Sequence, residues 1–212
     1  MEYNLQIRYI LIGSSYAGKS CIMEQYIDRY FSLGPPRTIG VDFNSTDTSY
    51  TISGNRYNVN NHIFDTSGDI KIFTLCQSYI SMAKCVLLVF DLTDLESFNN
   101  LKKWHLKIIE ESNGTNRFIL IGNKKDLQKN KINKKLISNY ANKSNMEYIE
   151  VSAKSKSDID NLFNKLNMDL ITEFIALSHE RRIKSPIIRD SYRPNINPEK
   201  NTRCCFKICN IS

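Results

Sequence analysis

Residues 13–20 read Gly13-Ser14-Ser15-Tyr16-Ala17-Gly18-Lys19-Ser20, the full pattern G-x-x-x-x-G-K-[ST]. A tight loop of this kind turns successive backbone N–H groups toward one point, and a helix beginning there adds its positive end. The chemistry is phosphate binding. Lys19 reaches the β- and γ-phosphates of a nucleoside triphosphate, and the Ser20 hydroxyl faces Mg²⁺. Gly13, Ser15, Tyr16, Ala17, Gly18, Lys19, Ser20 and the adjoining Cys21 are the expected nucleotide contacts. A second group, Asp65-Thr66-Ser67-Gly68, closes an apolar run. Asp65 can hold Mg²⁺ through water, and Gly68 lets a backbone N–H approach the γ-phosphate with no Cβ in the way. Between the two groups, Thr38 lies in a polar, proline-containing stretch. Its hydroxyl can close onto Mg²⁺ only when a γ-phosphate is present, and hydrolysis would then release both loops. Ser20, Thr38 and Asp65 are thus the expected metal donors. Lys19, Thr38, Gly68 and Asp69 are the residues expected at the reacting phosphate.

The phosphate loop does not choose between ATP and GTP. Asn123-Lys124-Lys125-Asp126 does. Guanine presents two N–H donors on one edge, and the Asp126 carboxylate can accept both. Adenine would leave that carboxylate desolvated and unpaired, at about 1–3 kcal/mol or more. The Lys124 stem can lie over the base. In Ser152-Ala153-Lys154 a backbone N–H is placed for the guanine oxygen, and Phe31 is a candidate edge contact from the other side. GTP or GDP with Mg²⁺ is the expected ligand.

These residues need a scaffold that brings strand ends together. The apolar pattern predicts strands at 5–12, 41–52, 56–64, 85–92, 118–122 and 148–151, with a turn at Ser53-Gly54-Asn55. Helical spacing predicts helices at 19–30, 97–109, 132–140 and 157–177. Alternating strands and helices imply an α/β fold: a mostly parallel six-stranded sheet with helices on both faces. Ligands in such sheets bind at the carboxyl ends of the strands.

Length and composition set the outer bounds. The chain has 212 residues, 41% hydrophobic and 24% charged, an ordinary balance for one folded domain with residues to spare. Its longest apolar runs fall far short of a membrane-spanning helix. No secretory leader is read at the start, and Glu2 excludes N-myristoylation. The six cysteines show neither zinc-site spacing nor a disulfide framework, which fits a reducing cytosol. A net charge of +7 with a pI near 9.0 raises the question of a polyanionic partner. From residue 179 onward the periodic pattern ends. Residues 179–212 are read as a flexible tail, and residues 1–178 as the nucleotide-binding domain. The tail carries eight Lys and Arg against three Asp and Glu, so most of the excess lies there. A nucleic-acid surface is therefore not expected.

Taken in order, the five motifs resemble the small GTPases of the Ras superfamily, and this resemblance covers residues 5–178. It implies a P-loop NTPase G domain. Ile39-Gly40-Val41-Asp42-Phe43, Leu88-Val89-Phe90-Asp91-Leu92-Thr93 and the Ser97…Trp104 spacing resemble the Rab family in particular. The resemblance implies a monomeric switch in vesicle traffic, served by an exchange factor and a GTPase-activating protein. Effectors would read Ile39, Gly40, Val41, Asp42, Phe43, Phe64 and Tyr79, where Phe64 stands in place of the family's usual Trp.

Three departures qualify it. The family continues its Asp-Thr-Ala-Gly with Gln-Glu; here Asp69-Ile70 follows. A glutamine orients the attacking water by donating and accepting, whereas a carboxylate only accepts and adds negative charge. Slow hydrolysis is expected, and the opposing reading makes Asp69 a general base. Ile70 removes the residue on which the family's usual exchange mechanism relies. Pro35-Pro36 replaces the aromatic of the first switch loop. The ending Cys209-Asn210-Ile211-Ser212 fits C-a-a-X with a serine that favours farnesyl, unlike the paired prenylated cysteines of most Rabs. Cys204 and Cys205 could carry palmitate as the second anchor that stable membrane residence requires. The expected location is the cytosolic face of an endomembrane or the plasma membrane. The alternative is a scaffold that binds GTP but scarcely hydrolyses it.

Overall fold

The computed structural model describes residues 1–34, 36–69, 71, 73–111, 116–127 and 132–184. The strands are β1 (Glu2–Ile12), β2 (Val41–Ile52), β3 (Asn55–Thr66), β4 (Cys85–Asp91), β5 (Arg117–Asn123) and β6 (Glu147–Glu150). The helices are α1 (Lys19–Ile27), α2 (Phe73–Met82), α3 (Leu95–Glu111), α4 (Lys134–Lys143) and α5 (Lys156–Lys184). All six strands form one sheet in the order β2-β3-β1-β4-β5-β6. Only β2 and β3 run antiparallel, joined at a turn where Ser53 and Gly54 both take positive φ (49° and 75°). Two such residues in succession match the twist of the flanking strands and fix the register Ile52↔Asn55.

Period-two alternation splits the core between the faces. On one side Ile10, Ile12, Val86, Leu88, Phe90 and Leu120 pack with Phe73 and Ile80 of α2, Trp104 and Ile108 of α3, and Ile137 of α4. On the other, the Tyr9 ring meets Phe163 of α5 edge-on, and Tyr26 of α1 stacks on the same phenylalanine at 3.9 Å. Helices thus cover both faces, as expected. Strand β4 is buried at every position and is apolar from Cys85 to Phe90, with the one carboxylate, Asp91, at its carboxyl end.

Differences from the expected elements have local causes. Helix α1 stops at Ile27, not residue 30: the Asp28 N–H returns to Glu24 O at 2.7 Å and Arg29 takes φ 59°. Strand β3 runs on to Thr66, so Asp65 is a strand residue paired with Asp42 and Leu11. Helix α2 lies where no element is expected. The final helix continues to Lys184. By its internal contacts the chain divides at Glu173, and the second unit starts at Phe174. Its described part is the end of α5, where Ser178 donates to Phe174 O at 2.8 Å. Cys204, Cys205, Cys209, Pro35 and Ile70 lie outside the described residues.

Candidate nucleotide site

The carboxyl ends of β1, β3, β4 and β5 lie along one edge of the sheet, and chain order reverses about β1. This is where a doubly wound sheet opens a crevice. A cleft of about 300 Å³ is lined there by Tyr16, Lys19, Ser20 and Cys21, by Phe31, Arg37 and Thr38, and by Asn123, Lys124, Asp126 and Ser152–Lys154.

Its phosphate end starts from two glycines. Gly18 has φ 89°, and a Cβ there would lie 2.2 Å from Asn123 Nδ2. Gly68 has φ 76°, and its Cβ would lie 2.4 Å from the Ser15 nitrogen. Both positions admit no side chain, so the second loop rests directly on the backbone of the first. Ser15 Oγ donates to Ser67 O at 3.0 Å, and the Ser67 N–H donates to Gly40 O at 3.0 Å. Three loops are tied by these contacts. Lys19 donates to Gly13 O and Ser14 O, each at 2.9 Å. Burial pushes its ammonium down to about 8, against the opposing pull of Asp65.

The three expected metal donors converge. Ser20 Oγ donates to Asp65 Oδ2 at 2.6 Å, Thr38 Oγ1 donates to the same oxygen at 2.9 Å, and the two hydroxyls are 2.9 Å apart. Burial raises the Asp65 carboxyl above the usual range, although Ser20 and Lys19 pull it down. Its second oxygen, Oδ1, is buried and has no hydrogen-bond partner. Two hydroxyls and a carboxylate with an unused buried oxygen are hard donors of the kind Mg²⁺ takes, and few enough to leave room for phosphate and water. The described residues hold no cluster of three or more His, Cys, Asp or Glu fit for a metal, so a dedicated protein cage is absent among them. The residues present fit Mg²⁺.

The base end is equally connected. Asn123, 1% exposed, donates to Ala17 O at 2.9 Å and accepts from the Ala153 N–H at 3.0 Å, joining three motifs through one amide. Asp126 accepts from Ser152 Oγ at 2.6 Å and pairs with Lys154 at 3.2 Å. Burial works to raise the Asp126 carboxyl, but Ser152 and Lys154 outweigh it and hold it below its ordinary value. The Lys154 N–H donates to Ser152 Oγ at 3.2 Å, and its ammonium lies 5.8 Å from the centre of the Phe31 ring. Lys124, at φ 64°, pairs with Asp91 at 2.6 Å. Cys21 reaches Ser32 O at 3.8 Å, and burial raises its thiol, keeping it protonated.

Asp69 stands beside the phosphate end. Its N–H donates to Ser67 Oγ at 3.3 Å, its Oδ1 accepts from the Lys71 N–H at 2.9 Å, and its Oδ2 faces Arg37 at 3.9 Å. Farther along, Phe43, Phe64 and Tyr79 form a row of rings 5.1 and 5.0 Å apart. Phe64 is buried within it, while Phe43 and above all Ile39 (95%) are exposed. Asp42 accepts its neighbour's N–H at 2.8 Å. Sequence reasoning missed Asp91, Arg37 and Asp158, which accepts the Ser152 N–H at 3.0 Å. A cation directly before Thr38 was the one available signal.

A family model described as the Ras family matches residues 8–173. The GTP-binding protein YPTM1 of Zea mays is 32% identical over 213 residues, covering 96% of this chain and 98% of that protein. The Ras-related protein Rab-1C of Dictyostelium discoideum is 32% identical over 170 residues, covering 80% and 83%. The Ras-related protein SEC4 of Candida albicans is 30% identical over 165 residues, covering 77% of each.

Proposed function

Since the chain belongs to the Ras family and is a Rab-like small GTPase, we propose that it binds GTP and GDP with Mg²⁺ and hydrolyses GTP slowly, as a switch that regulates vesicle traffic. One observation carries this reading. A single cleft holds a phosphate loop and converging metal donors at one end, and at the other a carboxylate framed to accept guanine N–H groups.

The residues act as follows. The loop from Gly13 to Ser20 presents N–H groups and Lys19 to the phosphates. Ser20, Thr38 and Asp65 would hold Mg²⁺, which when bound neutralises charge on the β- and γ-phosphates. Asp126 accepts from the guanine edge in place of its present partners, with Lys124 and Phe31 bordering the base. The backbone N–H groups of Ala153 and Lys154 would turn from Asn123 Oδ1 and Ser152 Oγ to the guanine oxygen. Gly68 lets the second loop touch the first, so both can register the γ-phosphate. Asp69 cannot donate a hydrogen bond to a water, so the intrinsic rate is low. Effectors dock on residues 39–43, Phe64 and Tyr79. An exchange factor and an activating protein complete the cycle of a monomeric domain spanning residues 1–178. Residues 179–212 tether it to the cytosolic face of an endomembrane or the plasma membrane, through a prenyl group on Cys209 and acyl chains on Cys204 and Cys205.

The nucleotide carried by the purified protein, released by denaturation and followed with time, is the direct test. Guanine nucleotide that passes slowly from GTP to GDP is expected; adenine nucleotide would overturn the reading. Single-turnover hydrolysis of Asp69→Gln is expected to be faster than that of the wild type. A faster wild type would sink the account of Asp69. GTP that never turns over would favour the second reading, a binding scaffold fixed in one state.

A further inference from the structure

We propose that Arg37 is a catalytic residue for GTP hydrolysis, an arginine that the chain itself supplies to the γ-phosphoryl group and that rests against Asp69 beside the cleft. The inference rests on the GTPase reading above. Arg37 lines the cleft together with Lys19, Ser20 and Thr38. Its backbone is fixed by its neighbour, since Thr38 is bonded to Asp65 and Ser20 at 2.9 Å.

Two features make it available. Its guanidinium lies 3.9 Å from Asp69 Oδ2, and both side chains are partly exposed, so the ion pair is loose and weak. Among the described residues Arg37 donates no hydrogen bond, which leaves a planar fork of donors whose geometry matches phosphate oxygens. Asp69, in contrast, is held within its own loop through Lys71 and Ser67. One of its carboxylate oxygens is occupied there and the other is turned to the arginine. This arrangement gives a carboxylate at position 69 a task that orienting a water does not cover. The Arg37 charge is also felt at the phosphate loop, where it adds to burial in lowering the proton affinity of Lys19.

In the reaction a water oxygen forms a bond to the γ-phosphorus, and the bond from that phosphorus to the β–γ bridging oxygen breaks. Its electron pair stays on the β-phosphate of GDP, and a water proton leaves with inorganic phosphate or to solvent. Charge gathers on the bridging and γ-oxygens. A cation that meets those oxygens only as the charge develops lowers the barrier without tightening ground-state binding. Asp69 is then the resting partner of the guanidinium and competes with the phosphoryl group for it, so its replacement by Gln frees the arginine.

The test compares wild type with Arg37→Ala and Arg37→Gln, each loaded with nucleotide and Mg²⁺. Single-turnover hydrolysis is expected to slow roughly 10- to 100-fold in both variants, the order of the gap between the intrinsic rates of a GTPase with an in-chain arginine and one without. Affinity for GDP with aluminium fluoride, a transition-state mimic, is expected to fall by a similar factor, and affinity for GDP alone to stay within about twofold. Unchanged hydrolysis or unchanged mimic affinity in the variants overturns the proposal. So does an equal loss of GDP and mimic affinity, which would mark a binding role. A wild-type chain that takes up no GDP would instead defeat the GTPase reading itself, and the same titration reports it.

Discussion

Lys19 carries a charge in a nearly sealed place, 4% exposed. Its ammonium is stabilised by two carbonyls and opposed by burial, which brings its pKa to about 8. Phosphate favours the charged form and raises that value on binding. Below pH 8 the residue already holds its proton, so affinity there is insensitive to this group. Above pH 8 binding must draw a proton from solvent, so affinity falls as pH rises, by up to tenfold per unit. Titration calorimetry of GDP at pH 7, 8.5 and 9.5, in buffers of different ionisation heat, is expected to show proton uptake growing with pH. Affinity that stays level from pH 7 to 9.5 would refute the assignment. The phosphate loop, the metal donors and Asp126 were legible because each is a short pattern whose chemistry follows from residue type and order. The Arg37–Asp69 pair was not, because 32 positions separate its members and only the fold brings them within 3.9 Å.

At the level of elements, strands were read more surely than helix ends. Strand β4 is apolar from Cys85 to Phe90 and admits one interpretation. Helix α2 has little in its sequence to announce a helix. Its ten residues include Phe, Thr, Tyr and two Ile-or-Leu positions, it has no acidic residue in its first turn and no basic one in its last, and its buried stripe is only Phe73, Cys76 and Ile80. What holds it is tertiary packing. The Phe73 ring lies 5.8 Å from that of Trp104, the largest fully buried side chain in the core. Trp104→Ala is accordingly expected to lower stability by about 3–5 kcal/mol in urea unfolding. It is also expected to raise amide exchange in α2 before the rest of the sheet. A loss below about 1 kcal/mol would mean that α2 is anchored by other contacts.

For the molecule as a whole, location matters more than total charge. Residues 1–178 carry 21 basic and 19 acidic residues, and residues 179–212 carry +5 of the net +7. A nearly neutral domain on a basic tether calls for an anionic surface at the tether alone, where each cation near an acidic leaflet contributes about 1 kcal/mol. Lipid-modified protein from native cells is therefore expected to bind phosphatidylserine vesicles more tightly than neutral ones. Replacing Arg203 and Lys207 by Gln is expected to weaken that binding about 30-fold, with the difference fading at high salt. Equal binding to neutral vesicles would show that charge plays no part.

The sheet order also sets a timetable for the chain as it is made. Strand β1 leaves the ribosome early, yet its two neighbours are β3 and β4, and Tyr9 pairs with Ile63 on one side and Cys85 on the other. At about 5–20 residues per second, the second flank of β1 arrives roughly 4–15 s after the first residues of the strand. For that interval Tyr9, Ile10, Leu11 and Ile12, all sealed in the finished fold, have at most the β2–β3 hairpin on one side and an open edge on the other. The strand that ends in the phosphate loop thus emerges first but is closed on its second side only when β4 arrives, and a nascent chain halted before β4 leaves that edge open.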